Sequence, residues 1–357
     1  MKKALKFKHI NSVLFLMLLG LLALSFTATA GAQSGKVITW VNQDAYLGEF
    51  TGQIAPNFGK WVEKNTKGQL IIKHNAPGSI VPVKDMFAAV AKGTIDMAAT
   101  YYSAYYRGSL PEADVEEIPI LFGDVVQHWD FIWNSGYYDI ISKVYEKKGI
   151  KWFPVIVGST YSIGFTKPIT RLSDIKGKKI RGSAGIFQEY LVALGASPVV
   201  LPFGEAYMAL STGAIDGIVG GIGMSLEYKL NEVTKTWINS PNSSNVTSDF
   251  LINLKKWNAL PKETRDFIEN NVKYWNWGEI VRCLGYQTKA KVAGAAKGNN
   301  YLDLPPEDVK KVEEIYLGLL EKQRAKGGVY KQIIELAYKY MEDNGVLKYN
   351  KVPAVKK

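Results

Sequence analysis

The 357-residue chain has one cysteine, Cys283, and three histidines. A single thiol cannot close a disulfide within the chain. Its setting, Ile280-Val281-Arg282-Cys283-Leu284, is that of a small buried helix residue rather than a reactive nucleophile. Beyond the first thirty residues only His74 and His128 remain, and they lack the i, i+4 spacing of a zinc helix. A Ser-His-acid triad would have to use one of these two. The chain has no G-x-S-x-G elbow and no G-x-x-x-x-G-K-[ST] phosphate loop. A dense basic stripe is also missing. The 44 Lys and Arg exceed the 33 Asp and Glu, giving +11, but the lysines are scattered and interrupted by acids, as in Lys322 to Lys331. That pattern is a solvated basic surface, not a nucleic-acid groove, and no nucleic-acid partner is expected. The 33 Gly and 14 Pro are ordinary usage, which excludes collagen-like and low-complexity chains.

The N-terminus has its own logic. Lys2, Lys3, Lys6 and Lys8 precede an uncharged apolar run, Val13 to Leu24, and then two small-x-small cleavage patterns, Ala28-Thr29-Ala30 and Ala30-Gly31-Ala32. This is the tripartite form of a secretory signal over residues 1–32. A bilayer span needs roughly 20 apolar residues, and this run is shorter. Cleavage removes four lysines and no acid, so the charge falls from +11 to +7. No cysteine lies near the cleavage patterns to carry a lipid anchor, so a periplasmic, freely soluble mature protein is expected.

The rest of the chain is 47% apolar overall and alternates strand and helix patterns. Lys36 to Val41 is β-rich. Phe50, Ile54, Phe58, Trp61 and Val62 follow at helical spacing. Leu70 to Lys73 is strand-like, Pro82 to Ala91 helical, and Ile95 to Thr100 strand-like. The grammar returns as strands at Trp152 to Val157, Tyr161 to Phe165, Lys179 to Arg181, Pro198 to Leu201 and Ile215 to Val219. Helices at Ile186 to Leu194 and Gly204 to Ser211 separate them. Asp249 to Leu254 is strand-like after a polar loop. From Pro261 the pattern is nearly all helix, with Arg265 to Ala296 as one long element, then Glu307 to Lys326 and Val329 to Asp343. The tail from Lys348 is expected to be loose.

Alternation of this kind predicts an α/β fold of two lobes, each a mixed sheet flanked by helices, with the break near Gly158. The expected division is 36–158 plus about 247–280 for the first lobe. The second takes 159–246 plus about 285–345, and about 265–296 reads as one long helix. Two lobes joined by several segments suit hinge closure on a ligand. Each lobe contains helix, x-G-x-I-D, then strand: Lys92-Gly93-Thr94-Ile95-Asp96 and Thr212-Gly213-Ala214-Ile215-Asp216. A lone carboxylate without a placed partner argues for a strand-end role, and the repeat is an echo of two related lobes. Gly217, Gly220, Gly221 and Gly223 do not spell G-x-G-x-x-G and suit close packing in a cleft wall.

The positive signal is cationic. Lys176-Gly177-Lys178-Lys179-Ile180-Arg181-Gly182-Ser183 sets Arg181 at the end of a short strand, with Gly182 and Ser183 leading into the next helix. A helix N-terminus beside an arginine fork suits a carboxylate.

At these residues the chain resembles the extracytoplasmic solute receptors of TRAP transporters, the DctP type. Six segments carry the resemblance in the family's order: Phe58 to Leu70, Val90 to Met97, Ile118 to Phe122, Leu172 to Arg181, Val200 to Gly217 and Trp257 to Arg265. The resemblance implies a two-lobe periplasmic-binding-protein-like fold with a long helix across both lobes, and it makes Arg181 the main salt-bridge partner of a ligand carboxylate. Two departures make the cleft less cationic. Tyr161 stands where many carboxylate-binding members have a second arginine. Asp216-Gly217 is followed by Ile218, Val219, Gly220 and Gly221 rather than by an acid with Asn or Pro.

The expected function is therefore a periplasmic receptor for a small organic acid, a monocarboxylate above all, delivered to TRAP membrane subunits. The expected protein is a monomer without cofactor, metal or chemistry of its own. The candidate ligand residues are Arg181, Tyr161, Tyr101, Gly182, Ser183, Asp216, Gly220, Gly221 and Asn245. Tyr102, Tyr105 and Tyr106 are further aromatic candidates for the cleft. The alternative is an exported α/β hydrolase or lyase acting on a small acid.

Overall fold

The computed structural model describes residues 36–101, 106, 108–117, 122, 124–182, 185–201, 203–239 and 245–353. The expected signal peptide, Ser183, Tyr102, Tyr105 and most of the polar loop before Ser248 lie outside them.

β1 (Ile38–Asp44) leads into α1 (Ile54–Asn65), which buries Ile54, Ala55, Phe58 and Val62 on one face. Lys67 and Gly68, both at positive φ, turn the chain into β2 (Leu70–Asn75). α2 (Met86–Lys92) stops at Gly93, which sits in the left-handed region, and β3 (Met97–Tyr101) follows. β2 and β3 flank β1, both parallel to it. α3 (Val125–Asn134) and α4 (Tyr137–Glu146) come next. Neither was assigned from the sequence. α3 opens on Asp124, whose carboxylate accepts the Val126 and Gln127 amides.

β4 (Ile150–Phe165) is one 16-residue strand where the sequence suggests two. The second series is β5 (Lys179–Arg181), α5 (Ile186–Ala193), β6 (Ser197–Val199), α6 (Ala206–Ser211), β7 (Gly217–Gly221), α7 (Ile222–Glu227) and β8 (Thr236–Asn239). The chain then returns through β9 (Asn245–Asn253) and α8 (Leu254–Asn258) to α9 (Lys262–Ala295), a 34-residue helix. β10 (Asn300–Asp303), α10 (Pro306–Arg324) and α11 (Gly328–Asp343) complete it.

Two mixed sheets result, and β4 belongs to both. Its first half, Ile150 to Ile156, pairs antiparallel with β9 beside β3, β1 and β2. Its last five residues run antiparallel between β7 and β8, with β5 and β6 beyond β7. The register breaks between Ile156 and Thr160. The break carries Gly158 at φ +68, where an added Cβ would lie 2.8 Å from the Ile280 carbonyl of α9. Only glycine allows both the turn and that approach. The sequence expectation of a division near Gly158 falls on this bulge. α9 clasps it: buried Asn276 donates to the Ile156 carbonyl at 2.9 Å and accepts the Ile156 amide at 3.2 Å. The Ser159 hydroxyl donates to Gln287 at 2.7 Å.

The repeated x-G-x-I-D segment does the same work twice. The Asp96 amide donates to the Val41 carbonyl at 2.9 Å, and the Val41 amide donates to the Asp96 carboxylate at 2.8 Å. The Asp216 amide donates to the Lys179 carbonyl at 2.8 Å, and the Lys179 amide returns to its carboxylate at 2.8 Å. Each aspartate joins two parallel strands at their entrance. Asp216, a candidate ligand residue on the sequence, is a strand clamp in the structure.

One expectation fails at the C-terminus. The tail from Lys348 is held, not loose, at its start. The Lys348, Tyr349 and Asn350 amides all donate to the carboxylate of Glu313 at 2.9–3.0 Å. Glu313 is fully buried, and a buried carboxylate needs donors.

The two clamps differ in setting. Asp96 is buried and also meets Lys256, whereas Asp216 is partly exposed. Asp96→Ala should cost about 1.5–3 kcal/mol and Asp216→Ala about 1 kcal/mol, since water can replace the latter's bond. Urea unfolding of both variants checks this, and equal midpoints would contradict the burial argument.

Candidate functional site

Arg181 ends β5, an inner strand between β7 and β6, with Ile218 and Val199 as its register partners. That placement puts the side chain at the C-terminal edge of the second sheet, where ligands of open α/β sheets gather. The residue is only 6% exposed. Its Nε donates to the Leu201 carbonyl at 3.1 Å. Its guanidinium carbon lies 4.9 Å from the centre of the Phe203 ring. Among the described residues no carboxylate is paired with it, and its two terminal nitrogens have no protein acceptor. A buried cation in that condition is costly unless an anion arrives. The carbonyl and the aromatic face offset part of the cost and fix the direction of the fork.

Phe203 is the residue that sequence reasoning missed. It is 4% exposed and packs edge-on against Tyr228 at 4.8 Å. The space for it depends on Gly220, where an added Cβ would come within 3.2 Å of its ring. The resemblance places Phe203 in the Val200 to Gly217 segment and Gly220 just beyond it, but nothing in their spacing indicates that they support Arg181.

Tyr161 lies in β4 opposite Gly221 of β7, buried, with its ring 4.4 Å from Phe187 at the start of α5. Phe187 belongs to the helix that follows Arg181, so Tyr161 and Arg181 are linked through α5 and β7. The run Gly217–Gly221 is buried throughout and supplies no polar side chain. Gly182 is a packing position, since an added Cβ would lie 2.9 Å from Leu191. Its amide donates to the Val199 carbonyl at 3.2 Å. α5 starts after Gly185 with no side-chain cap on its first turn.

Tyr101 is the last residue of β3, opposite Ser248, and Asn245 is the first of β9, opposite Thr160. Both therefore mark one edge of the first sheet; their side chains are not among those described. On the same edge Asp44, Thr51, Ala99 and Ser248 line a small recess. Tyr106 is a correction. It is buried in the core, donates to Asp249 at 2.7 Å and stacks on Phe87 at 4.7 Å. His128 likewise has no exposed role: burial against Phe122 pushes its pKa down to about 3, so it stays neutral. Cys283 is buried and its thiol is pushed up to about 12, as a structural cysteine should be.

Two sheets sharing a strand, a long helix across them and a buried cation at one sheet edge, paired with no carboxylate among the described residues, are the frame of a two-lobed solute receptor. Residues 43–326 match the DctP family of bacterial extracellular solute-binding proteins, family 7, and the chain belongs to that family. It is a receptor and not an enzyme. A monocarboxylate 2-oxoacid-binding periplasmic protein of Nostoc sp. is 28% identical over 87% of this chain and 86% of its own. The C4-dicarboxylate-binding periplasmic protein DctP of Rhodobacter capsulatus is 25% identical over 71% and 75%. A solved TRAP periplasmic solute-binding protein of Pseudoalteromonas atlantica, with bound sodium and pyruvate, superposes with a TM-score of 0.76. It is 21% identical and covers 86% of this chain and 95% of its own. Among the described residues no helix is long and apolar enough to cross a membrane.

Phe203→Leu keeps an apolar neighbour but removes the ring face beneath the guanidinium. Ligand affinity should fall about 5- to 30-fold, or about 1–2 kcal/mol, with the far-ultraviolet spectrum unchanged. Calorimetric titration of the two proteins measures it, and unchanged affinity would remove Phe203 from the site.

Proposed function

We infer that the chain is a periplasmic receptor that binds a small monocarboxylic acid at Arg181 and hands it to the membrane subunits of a TRAP transporter. The observation that carries this reading is the buried guanidinium, whose single fork has no carboxylate partner among the described residues. One fork satisfies one carboxylate. Among the described residues the surroundings offer no second cation: Tyr161 is a phenol, Phe203 and Phe187 are aromatic, and β7 from Gly217 is without polar side chains. A second buried carboxylate would lack a charge partner at a cost of several kcal/mol. The name of the Nostoc relative supports a 2-oxo monocarboxylate; that of the Rhodobacter relative favours a dicarboxylate, against which the missing second cation counts.

The described side chains about Arg181 supply one phenol and no carboxylate, and no group of three or more His, Cys, Asp or Glu able to hold a metal occurs among the described residues.

In this reading residues 36–158 with about 247–280 form one lobe and 159–246 with about 285–345 the other. The bulge at Ile156–Thr160 is the flexing point of β4. Ligand bridges the lobes, its carboxylate on Arg181 and its far end toward the edge that carries Tyr101 and Asn245. Gly182 and Ser183 lead from the fork to the uncapped turn of α5. A micromolar receptor needs about −8 kcal/mol in total. A charge-assisted bidentate contact supplies a few kcal/mol of that, and burial of the ligand's apolar part supplies much of the rest. The receptor acts as a monomer, and export by residues 1–32 brings it to the periplasm.

A calorimetric comparison of 2-oxobutyrate with 2-oxoglutarate tests the ligand class. The monocarboxylate should bind more tightly, and the reverse order would refute the inference from Tyr161. Arg181→Met should lose about 2–5 kcal/mol, enough to abolish detectable micromolar binding, while Arg181→Lys keeps weak residual binding. Turnover of the bound acid would favour the hydrolase or lyase alternative.

A further inference from the structure

The turn between β1 and α1 is folded around a carboxylate that belongs to the other sheet's elements. Glu227 ends α7, directly after β7. Its Oε1 accepts the Phe50 amide at 3.3 Å and its Oε2 meets the Thr51 hydroxyl at 3.3 Å. Gly48 makes this possible. It sits at φ +111, and an added Cβ would lie 1.7 Å from Oε1. The turn is closed so tightly that a Cβ at Gly52 would meet the Leu47 and Gly48 backbone at 2.5–2.6 Å. Its amides and hydroxyl face Glu227 while its carbonyls face α9, where Arg282 donates to the Glu49 carbonyl at 3.0 Å and the Phe50 carbonyl at 2.8 Å. Phe50 seals the contact, stacking on Tyr286 at 5.2 Å and filling the space above Gly223 of α7. Nothing in the ligand site uses this arrangement.

We propose that Glu227 is a proton-controlled strap between the lobes, holding turn 47–52 of the first against α7 of the second when protonated and releasing it when ionised. The chemistry suits both states. The neutral acid can accept the Phe50 amide with one oxygen and donate to Thr51 Oγ1 with the other. The anion must accept from both, in a half-buried site where it is poorly solvated. Burial is the larger influence and pushes the carboxyl up to about 7, against the pull of the turn's donors and of Arg282. Arg282 cannot neutralise it fully because its Nε is bonded to Glu279 at 2.7 Å. The other ionisable groups facing the strap are Cys283 and Tyr286 of α9 and Glu49 of the turn. The thiol is pushed up to about 12 and the phenol is raised by burial, so both stay neutral near pH 7. Glu49 is exposed and lies 4.0 Å from Lys289.

The sign follows from linkage. A carboxyl that titrates at about 7 in the strap and at the ordinary 4.5 when released makes the strapped state the one that takes up the proton. The strap is strongest below pH 4.5 and is lost as pH rises through 7. Between pH 6 and pH 8 the strapped-to-released ratio should fall about tenfold, with little change beyond.

Hydrogen exchange of the ligand-free mature protein reads this directly, because the Phe50 amide is the donor. After correction for intrinsic rates, the protection of the 47–52 peptide should fall about tenfold from pH 6 to pH 8. Glu227→Gln keeps an acceptor and a donor without a titrating proton, so its protection should be the same at both values. A parent protein with no change over that range overturns the proposal, and so does a Glu227→Gln variant that changes as the parent does. Peptides at Asp96 and Glu313, away from the strap, should show no such step. No ligand is used, so the result stands apart from the identity of the solute.

Discussion

The second sheet buries a positive charge to which no carboxylate among the described residues is paired. That single condition explains more of the local structure than any other. Arg181 comes from an inner strand, so it cannot swing out to water. Its Nε is tied to the Leu201 carbonyl and its plane lies over Phe203. Gly220 has no side chain because Phe203 needs the room. Each of these supports makes the ion tolerable and none neutralises it. A structural arginine would have a carboxylate in place, as Arg324 has in Glu321 and Glu335. Arg181 instead rests on a carbonyl and a ring, which is the condition from which its proposed role as the ligand's fork is argued.

The two aspartate clamps show how far the lobes share a plan. Asp96 and Asp216 each precede a strand and each exchange two bonds with a neighbouring strand residue, Val41 in one case and Lys179 in the other. The strand that follows each clamp ends at the edge where the candidate ligand residues sit: Tyr101 on β3 and Gly221 on β7. A fixed entrance sets the position of the exit. The clamps therefore act on the site at a distance of one strand, through register rather than contact.

Much of this was legible because it is local. The x-G-x-I-D echo, the short strand ending in Arg181, and the proline-free run after Pro261 are all patterns of neighbouring residues, and the structure has them within a few positions. β4 was not legible as one strand, because Gly158 interrupts its pattern and the bulge that absorbs the glycine is stabilised by Asn276, 120 residues away. α3 and α4 are not among the elements read from the sequence, although α4 buries Tyr137, Ile141, Val144 and Tyr145 at helical spacing, a stripe that the sequence does carry. The support of Arg181 by Phe203, the clamping of Glu227 by turn 47–52 and the anchoring of the tail by Glu313 are contacts between distant segments. Spacing carries no trace of them. Asp216 was named both as a strand-end residue and as a candidate ligand residue, and its carboxylate serves the backbone of β5.

α9 sets where any motion must occur. Its first part is fastened to the first lobe's elements: Lys151 of β4 bonds Glu269, Asn57 of α1 bonds Glu279, and Asn276 holds the Ile156 backbone. Beyond Gln287 its neighbours change, with Tyr301 of β10 reaching the Ala290 carbonyl. Between these two groups of contacts lies little more than two turns of helix beside the bulge of β4. Gly285 falls in this stretch, exposed, and an added Cβ there would meet nothing within 4 Å. A glycine inside a helix costs about 1 kcal/mol relative to alanine, and no close packing here requires one. Its physical effect is to loosen the helix at the level where the strand beneath it is already broken. Glu227, Arg282 and Tyr286 meet the turn at the same level, so the strap acts beside the bulge of β4.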